Sequence, residues 1–188
     1  NGVRHMSNNK RPVNLPEDLK GLKMRTMENP IHIAAYKAFG IVPTPMAFPE
    51  VFTALQQGTV DGQENPVTVI VTSKFYEVQQ HITLTRHIYN PQALLISKKF
   101  WDKLSEAENK ILREAAVAAT AYQRQLSRAK EDDAIETLRK NGMQVTILSP
   151  VELQRFRAKA KAVIDKHTQS VGSALVDELN AEIAKARK

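Results

Sequence analysis

Cysteine is absent from this 188-residue chain, which excludes disulfides, thiolate nucleophiles and Cys-ligated metals. Long apolar runs are missing too. None approaches the ~20 residues that a helix needs to cross a bilayer, so the chain reads as not itself membrane-spanning. No leader with a charged head, an apolar middle and a small-residue cleavage site is visible, and a chain that starts inside a longer protein would not show one. Aromatics are only 6% of the residues, with one tryptophan, and no aromatic–basic platform for stacking bases can be traced. The net charge of +7 comes from basic residues scattered among acidic ones. It therefore reads as a solvated basic surface rather than a nucleic-acid interface, and such a field would also speed the encounter with organic anions. Neither GxGxxG, a Walker loop, HExxH nor a nucleophile elbow occurs. His32 has no second ligand at a metal-binding interval. These lacks point to no cofactor, no metal and no catalytic residues.

What is present is an ordinary globular composition, 42% hydrophobic and 25% charged, enough for one domain or two small interleaved ones. The organising stretch is Pro43 to Pro66. Turn signals at Pro43–Pro45 and at Gly58 with Asp61-Gly62 flank a short helix. Pro49 and Glu50 suit its first turn, and Val51, Phe52 and Leu55 give it a face to bury. Gly62-Gln63-Glu64-Asn65 then reads as an exposed loop of amides, with Asn65 held extended by Pro66. Asp61 and Glu64 form a carboxylate pair without an evident histidine base or metal, too little for acid–base chemistry. Arg25 ends the alternating strand Leu22–Thr26, at the strand edge where α/β sheets bind ligands. Its planar guanidinium matches a carboxylate with two parallel charge-assisted bonds.

Thr44–Phe48, Glu50–Pro66 and Lys74–Gln79, together with Leu19–Arg25 and Asn8–Pro12 upstream, resemble the DctP family, the periplasmic substrate-binding proteins of TRAP transporters. The resemblance runs through nearly the whole chain. It implies an α/β, two-lobe periplasmic-binding-protein-like architecture with a long lobe-spanning helix and with the N-terminal part of the full-length protein missing. It also implies an extracytoplasmic receptor that binds a small organic acid by its carboxylate and delivers it to the TRAP membrane permease. By the same resemblance Arg25 is the carboxylate clamp, Asn65 the hydrogen-bonding amide and Phe48 the cover over the ligand's carbon skeleton. Arg4 reaches the ligand, and Asn90 is a further polar contact. Four of these keep a plainer alternative: Arg4 as an exposed arginine near a chain end, Arg25 in a surface salt bridge, Asn65 as a simple turn asparagine, and Phe48 as a core anchor.

Along the rest of the chain, Pro30–Phe39 reads as a helix stopped by Gly40. Residues 67–71 are β-branched, yet the resemblance favours helix there. Ile82–Thr85 alternates as a strand, residues 86–91 form a crossing, and Gln92–Ser97 reads as a second, more buried strand. Ser105 and Glu108 make a capping box. Apolar residues then recur at helical steps to Gly142, about 35 residues and about 50 Å. A globule of this size has a radius of gyration of only ~16 Å, so this helix should run along two lobes. A strand over 143–148, a capped helix from Ser149 and a last helix after Gly172 complete the chain. The expected division is 1–90 as the main part of the second lobe, 91–130 as a segment returning to the first lobe, and 131–188 completing the second. An enzyme acting on carboxylic acids, or an isolated lobe without binding activity, are the alternatives to the receptor.

Overall fold

The computed structural model describes residues 2–186. Its centre is a six-stranded mixed sheet of β1 (Gly2–Asn8), β2 (Lys23–Thr26), β3 (Val42–Pro45), β4 (Gly62–Pro66), β5 (His81–Asn90) and β6 (Gln144–Thr146). The strand order is β3-β2-β4-β1-β5-β6. β1 pairs antiparallel with both β4 and β5, and the other pairings are parallel. Five strands thus run one way and the inner strand β1 runs against them. The C-terminal ends of β2, β3, β4 and β5 consequently share one sheet edge with the N-terminal end of β1.

Seven α-helices accompany the sheet among the described residues: α1 (Pro30–Ala38), α2 (Val51–Gln56), α3 (Val67–Thr72), α4 (Lys98–Trp101), α5 (Glu106–Lys140), α6 (Pro150–Val171) and α7 (Ser173–Ala186). Pairing register divides the strand side chains between two faces. Met6, Met24 and Glu64 fall on one, and Ser7, Gln63, Asn65, Ile82 and Leu84 on the other. Each face carries its own core. On the first, Met6, Met24, Tyr36, Phe39 and Phe156 join α1 and α6 to the sheet. On the second, Leu55, Ile70, Phe75, Ile82, Ile135 and Leu138 join α2, α3 and the end of α5.

Local signals account for most helix ends. Asn29 accepts from the backbone N–H of Ile31 and His32 while Pro30 occupies the first turn of α1. Ser105 accepts from Glu108 N–H, and Glu108 returns a carboxylate to the Ser105 N–H. Ser149 caps α6, and Gly172 (φ 107°) separates it from α7. The β-branched run from Val67 is helical, as the resemblance implied.

Four expectations are corrected. Gly62–Pro66 is no exposed loop but a fully buried inner strand. It tolerates this because Gly62 has no side chain: a Cβ there would lie 2.1 Å from the Ser7 carbonyl oxygen and 2.7 Å from Met24 Sδ. Residues 86–91 do not cross between strands. β5 continues to Asn90 through a bulge, where Arg4 pairs with Ile88 but Met6 with Thr83 and Arg86 turns left-handed (φ 46°). Gln92–Ser97 forms no strand, and Leu94 and Leu95 are 77% and 85% exposed. The strand expected over 143–148 spans only Gln144–Thr146.

Within α5 only Ala134, Ile135 and Leu138 are buried, all in its last two turns. Two large side chains give about 1.5–3 kcal/mol each, enough to seat that end. Ile111, Val117, Tyr122 and the rest of the apolar stripe upstream stay exposed.

Candidate functional site

The sheet edge described above collects the site residues, because Arg25 lies near the end of β2, Phe48 just beyond β3, Asn65 near the end of β4 and Arg4 near the start of β1. Arg25 is 3% exposed. Its Nε and Nη2 donate to the Met46 carbonyl at 3.0 and 2.8 Å, and its guanidinium carbon lies 5.9 Å from the centre of the Phe48 ring. Phe48 is 43% exposed and rests on Phe75 at 5.9 Å between ring centres, so it is anchored on one side and open on the other. Burial lowers the Arg25 pKa from its ordinary value. The carboxylate of Glu64 opposes that shift, Arg4 adds to it, and Glu28 opposes it again.

Arg4 is buried, which removes the exposed-arginine alternative. Its Nε and Nη2 donate to the two carboxylate oxygens of Glu64, and Nη2 also reaches the Glu64 carbonyl at 2.8 Å and Asn65 Oδ1 at 3.1 Å. Asn65 donates onward to Gln63 Oε1 at 2.6 Å, Gln63 to Ser7 Oγ at 2.9 Å, and Ser7 to Gln79 Oε1 at 2.9 Å. Every donor in this chain points the same way, which fixes the Asn65 amide. An asparagine carries two donors and two acceptor lone pairs, so one of each is left over. Asn90 closes β5 opposite Gly2, and among the described residues no side-chain hydrogen bond joins it to the other four.

Glu64 was read from the sequence as a carboxylate without an evident histidine base or metal. It instead lies 3.5 Å from His87 Nε2 and is chelated by Arg4. Burial would raise its pKa. The hydrogen bonds and charges of His87 and Arg4 outweigh that and hold it at about 2. His87 Nε2 is also 3.0 Å from the Tyr36 hydroxyl, and Thr85 Oγ1 is 2.7 Å from its Nδ1. Sequence reasoning missed Glu64, Tyr36 and His87 as parts of the site. The one available signal was the pairing of an arginine-bearing strand with Gln-Glu-Asn, and register is not legible from one sequence. Among the described residues no group of three His, Asp or Glu side chains could hold a metal.

This edge is a buried cation with an open aromatic beside it and a hydrogen-bonded polar wall behind it. A family model for bacterial extracellular solute-binding proteins, family 7 (DctP), matches residues 1–170. The chain belongs to this family. A solute-binding protein from Verminephrobacter eiseniae is 51% identical over 96% of the chain and 53% of its own length. The 2,3-diketo-L-gulonate-binding periplasmic protein YiaO of Escherichia coli is 42% identical over 77% of the chain and 44% of its own length. A TRAP periplasmic solute-binding protein from Polaromonas sp. JS666, solved with D-erythronate bound, superposes with a TM-score of 0.91 at 48% identity, covering 96% of this chain and 59% of that one. The α/β fold of this DctP-family chain is therefore that of the TRAP periplasmic binding proteins. The chain spans about half the length of the curated relatives it matches. No helix among the described residues is long and apolar enough to cross a membrane.

Proposed function

We propose that the chain supplies one lobe and the lobe-spanning helix of a periplasmic receptor that captures a small organic acid and delivers it, unchanged, to a TRAP-type membrane permease. The observation that carries this reading is Arg25: a buried guanidinium whose own hydrogen bonds go to a neutral carbonyl. A buried charge without a counter-ion is unfavourable, and a ligand carboxylate is the partner its geometry fits. Phe48 offers its open face to the ligand's carbon atoms, the spare donor and acceptor of Asn65 orient its polar end, and Arg4 holds that amide in place. Asn90 is the remaining candidate contact, at the same edge. The ligands named for YiaO and the Polaromonas protein are both carboxylates, which favours the same class here.

The lobe division follows the same reading. Residues 1–90 form the main part of one lobe, 91–130 return to the other, and 131–188 complete the first. Support comes from burial: the two cores draw on residues up to Leu84 and from Ala134 onward, while 91–130 contribute none. No nucleic acid and no catalysis enter this function. Ligand contacts to both lobes favour closure only by their differential affinity for the closed state.

The test is calorimetry on the full-length protein with whatever acid co-purifies, identified by mass spectrometry before and after incubation. Arg25→Ala is expected to cost at least ~2–3 kcal/mol of binding, the scale of charge-assisted hydrogen bonds. Unchanged affinity, or a chemically altered ligand, would overturn the receptor reading.

A further inference from the structure

We infer that the acid recognised at this edge is a monocarboxylate, and that a dicarboxylate of the same size is rejected there. The inference rests on the carboxylate-receptor reading and sharpens it. Among the described residues only three formal charges are buried: Arg4, Arg25 and Glu64. Two cations and one anion leave a single unbalanced positive charge. Its position is defined, because both carboxylate oxygens of Glu64 are occupied by Arg4 whereas, among the described residues, Arg25 donates only to the Met46 carbonyl.

One carboxylate at Arg25 brings the buried charge to zero. A second would leave an unpaired anion in a desolvated setting, the arrangement that burial penalises most. Among the described residues no buried cation other than the chelated Arg4 accompanies Arg25 to receive that second anion. The side chains that act on Arg25 include Glu64, Arg4 and Glu28: two carboxylates, and a guanidinium already chelated. Burial keeps His5 and His32 below the ordinary histidine pKa, so both favour the neutral form. His87 Nε2 is directed at Glu64 itself. A dicarboxylate therefore meets negative charge where it would need positive, and like-charge juxtaposition is a strong means of rejection.

Three four-carbon acids separate the possibilities in calorimetry on the full-length receptor: D-erythronate and butyrate, each with one carboxylate, and succinate with two. At least one monocarboxylate is expected to bind roughly 100-fold or more tightly than succinate, about two tenfold steps of affinity. Glu64→Gln raises the buried charge by one and is expected to narrow that gap at least roughly tenfold, one such step. Glu28→Gln, on the exposed turn after β2, is expected to narrow it in the same sense should the buried variant fail to fold by circular dichroism. Succinate binding as tightly as the better monocarboxylate, with Arg25→Ala abolishing both, overturns this inference and leaves the receptor reading standing. A preference that the charge-removing variants leave unchanged overturns it as well. Absence of binding by all three acids overturns this inference alone, and binding indifferent to Arg25→Ala overturns both.

Discussion

Glu64 shows how a single residue can be misread when its partners are far away in sequence. Arg4 is 60 positions upstream and His87 is 23 positions downstream, and only strand pairing brings the three together. Removing the carboxylate strands a buried guanidinium. Glu64→Ala is therefore expected to destabilise the protein by about 3–5 kcal/mol, read from the midpoint of urea unfolding. The same edge makes stability depend on pH. His5 is fully buried, with its pKa lowered to about 3 by burial and by His87 and Arg86, and Glu64 is held at about 2. Both folded values lie below the unfolded ones, so both contributions are complete above the unfolded pKa and are lost on acidification. His5 acts between about pH 6.5 and 3, Glu64 between about 4.5 and 2. Unfolding free energy should thus fall as pH drops below about 6.5, by up to about 1.4 kcal/mol per pH unit for each proton taken up. His5→Asn, followed by urea unfolding across this range, is expected to flatten the upper part of the slope.

Among the elements, β4 departs furthest from its sequence pattern. Gln63, Glu64 and Asn65 look like loop residues because isolated polar side chains are costly to bury. They are buried here because each finds a partner on a neighbouring strand or within β4 itself. Gly62 makes the close approach possible, and Gly62→Ala is expected to cost at least about 2–3 kcal/mol through the clash with the Ser7 carbonyl, measured by chemical denaturation. Helices were far more legible. The capping box at Ser105–Glu108, the Ser149-Pro150 start and the Gly172 break each lie within a few residues of the element they define, so local chemistry decides them. The β5 bulge lay at the other extreme. Arg86 carries no glycine-like signal, yet its left-handed backbone accompanies the irregular pairing that brings His87 to Glu64.

At the scale of the whole molecule, residues 91–130 are the part whose pattern promises burial and whose surroundings in this chain do not supply it. Leu94, Leu95, Ile111, Val117 and Tyr122 are exposed although their spacing is that of packed elements. Under the proposed lobe division, the amides of residues 92–97 exchange hydrogen freely in the 188-residue chain and are protected in the full-length receptor. Equal exchange in the two would refute that division. Arg25 and Phe48 were each singled out by resemblance, in the separate motifs Leu19–Arg25 and Thr44–Phe48, while the parallel pairing of β2 with β3 sets the guanidinium carbon 5.9 Å from the ring centre.

From the sequence alone came the α/β class, the long helix and its caps, the family, and Arg25 as the cation to watch, since each is written in local spacing or in a contiguous motif. Tertiary structure alone decided that Gln63–Asn65 is buried, that Arg4 neutralises Glu64, and hence that Arg25 is the cation left unbalanced. Charge balance in a desolvated interior depends on which strands lie side by side, and that pairing joins residues tens of positions apart.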